Sequence, residues 1–259
     1  MARDCFEKLF SMEGKVSLIT GGYKGIGLAI AEMYAEAGAN LAIVARNLQG
    51  CREEAERLQN TFGIKAMARS MDVCQPESVE SVVKEISDEF GKIDILVNCA
   101  GIGSTAKPVT LMTDEDLGEV MNTNFRGTFL VSRAAAPIMV EQKKGKIINI
   151  ASILGKIAFG TVTDYCASKA AVLQLTRTMA LELIPDNIQV NAICPGFFLT
   201  DMTRSFLESE EGELFIKTMI PINRVGDVGE LKSLALYLAN CPSFMTGSAI
   251  YIDGGQTIT

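Results

Sequence analysis

Val16-Ser17-Leu18-Ile19-Thr20-Gly21-Gly22-Tyr23-Lys24-Gly25-Ile26-Gly27 decides the fold. A short apolar run from Lys15 to Thr20 ends in a glycine-rich turn. A helical pattern then opens at Gly25, runs to about Ala37 and is closed by Gly38. Glycines carry no Cβ, so backbone N–H groups in such a turn can approach a pyrophosphate at the helix N-terminus, where the dipole favours negative charge. The spacing is Gly-x-x-x-Gly-x-Gly rather than Gly-x-Gly-x-x-Gly, and no Lys-Ser/Thr follows as a P-loop requires. A turn of this kind that holds nothing is the simpler alternative, because glycine-rich turns are common.

Outward from that turn, strand and helix patterns alternate. Leu41 to Ala45 is apolar, and a charged helix from about Leu48 to Phe62 stops at Gly63. Lys65 to Met71 half-alternates, and Pro76 opens a helix that stops after Phe90 at Gly91. Ile93 to Asn98, Lys146 to Ile150 and Ile188 to Ile193 read as strands buried on both faces. Two long helical patterns, about Asp114 to Glu141 and Tyr165 to Leu183, lie between them. The alternation predicts an α/β fold, a doubly wound parallel sheet of the Rossmann kind. No linker, repeat or low-complexity tract divides residues 1–259, which read as a single domain. The irregular stretch 196–224, with its phenylalanines among acids, reads as a substrate lid with short helices of its own or as a segment ordered by ligand.

Composition narrows the chemistry. The 259 residues include no histidine, which removes Ser-His-Asp triads, Cys-His dyads and His-ligated metal sites, so no metal is expected. A net charge of −7 argues against a nucleic-acid surface or a polybasic membrane anchor. The seven cysteines form no C-x-x-C and read as reduced, small core residues. The N-terminal residues lack a signal-peptide core, and no run of about 18 apolar residues exists to span a bilayer. A cytoplasmic location is the expectation. Ser104-Thr105-Ala106-Lys107 matches Ser-x-x-Lys by chance, since neither Ser-Asp-Asn nor Lys-Thr-Gly accompanies it.

The end of the second strand bears on a cofactor. Dinucleotide sites carry an acid about 20 residues past the glycines to bond the ribose 2′-OH. Here Ile43-Val44-Ala45-Arg46-Asn47 has Ala45 at that place and Arg46 directly after it, and Lys24 lies inside the glycine turn. Either cation alone reads equally well as a solvated surface charge. With the acid missing, the pair suits a 2′-phosphate, hence NADP(H) over NAD(H).

Tyr165-x-x-x-Lys169 puts a phenol and an ammonium one helical turn apart, where the cation would favour the phenolate and lower the Tyr165 pKa towards the working range. Ser152 follows the fifth strand, at the end of the sheet where doubly wound proteins place ligands. The order of glycine turn, strand-end Ser and Tyr-x-x-x-Lys resembles the short-chain dehydrogenase/reductase family over about Gly14 to Gly255. Thr20-Gly21-x-x-x-Gly25-x-Gly27 looks like its cofactor motif, and Asn98-Cys99-Ala100-Gly101 like its Asn-Asn-Ala-Gly signature with Cys99 in place of the second Asn. Asn124 falls where the family has its catalytic Asn, and Asp253-Gly254-Gly255 resembles its C-terminal ending.

The resemblance implies roles for these positions. Ser152 holds the substrate oxygen, Tyr165 exchanges the proton, and Lys169 binds the nicotinamide ribose. Asn124 holds a water that connects Lys169 to solvent. Gly21, Tyr23, Lys24, Gly25, Ile26, Gly27, Arg46 and Asn47 would meet the adenosine phosphates. Asp72 and Val73 would lie by the adenine, with Ala100 and Gly101 along the cofactor and Asn98 bracing the central strands. Pro195, Gly196 and Thr200 would contact the nicotinamide side. The implied reaction interconverts a ketone and a secondary alcohol, and the implied assembly is a homotetramer built through the two long helices.

Leu9 to Lys15 and Arg224 to Leu231 look similar to the gluconate 5-dehydrogenase branch, which makes a keto-sugar acid the substrate guess. The 3-oxoacyl thioester reductases share nearly all the same signals, and hydroxysteroid or general carbonyl reductases stay open. Phe197, Phe198, Phe206 and Phe215 suit an apolar substrate better, and Arg204 is the one apparent carboxylate clamp. A non-enzymatic NADP-binding sensor is the alternative class.

Overall fold

The computed structural model describes residues 9–258. Seven parallel strands form one sheet: β1 (Val16–Thr20), β2 (Asn40–Ala45), β3 (Ala66–Ser70), β4 (Ile95–Asn98), β5 (Gly145–Ile150), β6 (Ile188–Pro195) and β7 (Ala249–Ile252). Their order is β3-β2-β1-β4-β5-β6-β7. The chain moves outward from β1 in one direction, then returns to β4 and moves outward in the other. The crevice between β1 and β4 is therefore the topological switch point. Thr20 pairs with Val44 on one side and with Asn98 on the other.

Helices cover both faces: α1 (Gly25–Glu36), α2 (Leu48–Phe62), α3 (Pro76–Phe90), α4 (Asp114–Met121), α5 (Gly127–Gln142), α6 (Thr163–Leu183), α7 (Arg204–Leu207), α8 (Glu210–Met219) and α9 (Lys232–Asn240). Alternate strand residues feed two separate cores. Ile19, Ile43, Val97 and Ile193 pack with Ile30 and Tyr34 of α1, Leu58 of α2 and Leu238 of α9. Leu18, Val44, Leu96 and Val190 pack with Val83 of α3, Leu130 of α5 and Met179 of α6. α2 and α3 end at Gly63 and Gly91 in the left-handed conformation, as the sequence pattern requires. No helix among the described residues is long and apolar enough to cross a membrane.

Two features differ from the sequence reading. The expected helix from Asp114 to Glu141 is two helices joined by a wide π turn, Asn122–Arg126. The turn places Asn124 so that its carboxamide accepts from Ile102 N–H at 2.8 Å and donates to Ile102 C=O at 3.0 Å and Ser168 Oγ at 3.1 Å. These bonds repay the poorer geometry of the turn, which apolar periodicity does not register. Second, α9 and β7 form where no regular pattern was singled out. All four β7 residues are half-buried at the sheet edge, so neither alternation nor an apolar run marks them. Stretch 196–224 carries two short helices of its own, α7 and α8, the first of the two forms expected for it.

Candidate active site

The site grows from the β1–β4 crevice. Thr20 Oγ1 accepts hydrogen bonds from the N–H groups of Cys99 and Ala100, each at 3.0 Å, and so ties the turn after β1 to the turn after β4. The two backbones approach closely. A Cβ on Gly21 would lie 3.2 Å from Ala100 backbone atoms, and Gly21 itself has φ +68°. A Cβ on Gly27 would drive into the Gly21 carbonyl. Glycine is required at both places to leave the cradle open.

One cavity of about 630 Å³ runs along the carboxyl ends of the strands. The glycine turn lines it with Gly21, Tyr23, Lys24, Gly25, Ile26 and Gly27. Arg46 and Asn47 follow β2, and Asp72 and Val73 follow β3. Ala100 and Gly101 come from beyond β4, and Ser152 from just beyond β5. Tyr165 and Lys169 project from α6, and Pro195, Gly196 and Thr200 close the side beyond β6. Two expected site residues lie behind the lining. Asn98 Nδ2 donates to Asn149 Oδ1 and Ser132 Oγ, both at 2.9 Å, bracing β4 against β5 and α5. Asn124 is buried under the loop at Ile102. Residues the sequence reading missed also face the cavity, among them Ile102, Gly103 and Met202. They belong to loops whose composition carries no motif.

Burial governs the chemistry. Lys169 is 6% exposed, and its Nζ donates to Ile150 C=O at 2.9 Å. Desolvation pushes its pKa down to about 8. Desolvation also pushes the Tyr165 phenol up to about 12, against an opposing hydrogen bond with Ser152. This corrects the sequence expectation that Lys169 draws Tyr165 down towards the working range. The ammonium lies 5.5 Å from the phenol ring centroid, and loss of water is the largest influence on the phenol. Burial likewise raises the Cys99 and Cys194 thiols beside Lys169 to about 11 and about 12, so both stay protonated at neutral pH.

The two expected phosphate cations differ. Lys24 Nζ pairs with Asp201 across 3.2 Å on the exposed surface, so the structure turns it to the segment after β6. The Arg46 guanidinium makes no hydrogen bond or ion pair among the described residues, and it lines the cavity directly after Ala45, the place of a ribose-binding acid. A cradle that a Cβ would fill, a cation at the end of β2 and a half-buried Tyr165 beside a buried Lys169 fit a nicotinamide dinucleotide.

A family model described as enoyl-(acyl carrier protein) reductase matches residues 21–257. The chain is 38% identical over 251 residues to the 5-keto-D-gluconate 5-reductase of Escherichia coli, covering 96% of this chain and 98% of that one. The chain belongs to the short-chain dehydrogenase/reductase family. It is an oxidoreductase of a family that works with nicotinamide cofactors. It is also 36% identical over 247 residues to the 3-oxoacyl-[acyl-carrier-protein] reductase of Vibrio cholerae, covering 95% of this chain and 98% of that one. A gluconate 5-dehydrogenase from Burkholderia cenocepacia, solved with NADP and tartrate, superposes with a TM-score of 0.94 at 34% identity, covering 98% and 99% of the two chains.

The low Lys169 pKa has a consequence for stability. An unfolded lysine keeps its proton up to about 10.5, whereas the buried one releases it near 8. Between those values the unfolded chain binds more protons, so stability rises with pH; below 8 the buried charge costs its full penalty. Lys169→Met should therefore stabilise the cofactor-free protein at pH 7 by about 1–3 kcal/mol, after the lost hydrogen bond is counted. The gain over wild type should shrink towards zero between pH 8 and 10.5 in urea titrations. A pH-independent difference would contradict the shift.

Proposed function

We propose that the chain is an NADP(H)-dependent oxidoreductase that interconverts a ketone and a secondary alcohol, with Tyr165 as the general acid/base. The observation that carries the reading is a single cavity with Ser152, the Tyr165 phenol and Lys169 at one end and Arg46, without a neighbouring acid, at the other. When bound, the nicotinamide supplies or accepts the hydride. Ser152 hydrogen-bonds the substrate oxygen and orients it against Tyr165. With its pKa raised to about 12, Tyr165 is fully protonated at neutral pH, the state that donates to a carbonyl oxygen as negative charge develops there. Lys169 holds the nicotinamide ribose and steadies the phenolate left behind. Asn124 faces Lys169 across Gly101, where a Cβ would lie 3.1 Å from Asn124 Oδ1 and 3.7 Å from Lys169 Nζ. That gap suits a water through which the proton is replaced. Asp72 and Val73 would hold the adenine and Thr200 the nicotinamide amide, all three lining the cavity. Kinship with a 5-keto-D-gluconate reductase and a 3-oxoacyl carrier-protein reductase keeps both ketone classes within the reading.

Tyr165→Phe should lower kcat for NADPH-dependent ketone reduction by about 10²–10⁴-fold while NADPH still binds. Turnover within a few-fold of wild type would remove Tyr165 from the chemistry. NADPH binding without turnover of any carbonyl or alcohol by the wild type would favour a cofactor-binding sensor.

Arg46→Ala should weaken NADPH binding by about 10–100-fold in a fluorescence titration, the worth of a charge-assisted phosphate contact, and leave NADH almost unchanged. Equal or tighter binding of NADH than NADPH by the wild type would overturn the cofactor preference.

The assembly proposed is a homotetramer through α4–α5 and α6. It is supported by exposed apolar side chains on those helices, including Leu117, Phe129 and Leu181. Light scattering should give a mass near four times 27.9 kDa, and a monomer would contradict the assembly.

A further inference from the structure

Three phenylalanines of stretch 196–224 meet a fourth from the loop after Ser152. The ring centroids of Phe197 and Phe215 lie 4.6 Å apart, those of Phe206 and Phe215 5.5 Å, and those of Phe159 and Phe215 5.6 Å. Phe159 also meets Phe197 at 6.1 Å. Phe215 is buried, while Phe159, Phe197 and Phe206 keep part of their surface open. The cluster joins the two segments that leave the sheet beside Tyr165. One begins at Ser152 and the other at Gly196, and both residues line the cavity. Met202, half exposed, adds apolar surface to the second of these segments. Of these apolar side chains Met202 lines the cavity, and a substrate whose carbonyl met Ser152 and Tyr165 would extend towards these two segments.

The charges of this region are already committed. Arg204, the one apparent carboxylate clamp, pairs with Glu208 at 2.7 Å. Lys24 pairs with Asp201, and Lys107 with Asp116 at 2.7 Å. Lys156 sits over the Tyr251 ring at 4.9 Å and donates to Thr257 C=O. Residues 201–217 carry five carboxylates against two cations. A carboxylate entering here loses its water without gaining a partner and meets charges of its own sign.

Resting on the oxidoreductase reading above, we propose that the Phe159–Phe197–Phe206–Phe215 cluster makes the enzyme select an uncharged, apolar ketone over ketones bearing a carboxylate. This departs from the substrate named for the gluconate relative.

The test compares kcat/KM with NADPH for methyl 4-acetylbenzoate, 4-acetylbenzoate and 5-keto-D-gluconate on the full chain. The first two share one ketone and differ in a single charge. The ester should exceed both acids by at least about 30-fold, because an unpaired carboxylate resists desolvation. Phe206→Arg should narrow the ester–acid ratio to below about threefold by offering the missing cation, while Phe206→Leu should retain it. An acid used as well as or better than the ester by the wild type would overturn the selectivity and leave the oxidoreductase reading standing. That comparison needs no variant to fold. Reduction of none of the three, with NADPH bound, would instead overturn the oxidoreductase reading and this inference with it.

Discussion

The close approach of two backbones at the β1–β4 crevice is the constraint on which the rest depends. Thr20 Oγ1 takes the N–H groups of Cys99 and Ala100 together, and Gly21 brings its backbone against Ala100. No side chain fits in that seam. The open cradle, the direction of α1 and the placement of Gly101 beside Lys169 all follow from it. Asn98 stiffens the next layer outward through Asn149 and Ser132, and Asn149 passes the brace to Thr176 of α6. The helix that carries Tyr165 and Lys169 is thus coupled by buried side-chain hydrogen bonds to the strands that carry the glycine turn.

Desolvation is the second organising force. It moves Lys169 and Tyr165 in opposite directions, and both moves disfavour the charged form. Lys169, charged below about 8, is therefore costly in the folded protein near neutral pH, while the neutral Tyr165 phenol is not. A protonated phenol held by Ser152 is poised as a donor, and the neighbouring lysine can answer the negative charge that forms. The thiols of Cys99 and Cys194 add no competing nucleophile, because the same burial keeps them neutral.

The Phe cluster and the acidic run of α8 place two opposite surfaces on one segment. Phe215 turns inward among rings while Glu210, Glu211 and Glu213 occupy the first turn, where the dipole and solvent accommodate them. Apolar contact fastens the segment to the loop after Ser152, and charge decorates its outside. Kinship with reductases of quite different named substrates is compatible with such an arrangement, since Ser152, Tyr165 and Lys169 stand just beyond β5 and on α6 while the Phe cluster stands on the connections.

The sequence by itself determined the sheet, the glycine turn and the order of the chemical groups. These are written locally: buried strands are apolar runs, α2 and α3 stop where Gly63 and Gly91 take left-handed conformations, and Tyr165 and Lys169 share a face through helical periodicity. Only the tertiary structure decided the π turn at Asn124, the edge strand β7, the pairing of Lys24 with Asp201 and the upward shift of Tyr165. Each of these depends on partners or on solvent exclusion supplied from distant parts of the chain. Lys24 and Asp201 stand 177 residues apart, and the Tyr165 phenol is desolvated by neighbours that its own helix does not contain. Periodicity and residue type report a local preference, whereas a pKa or an ion pair reports the surroundings that folding assembles.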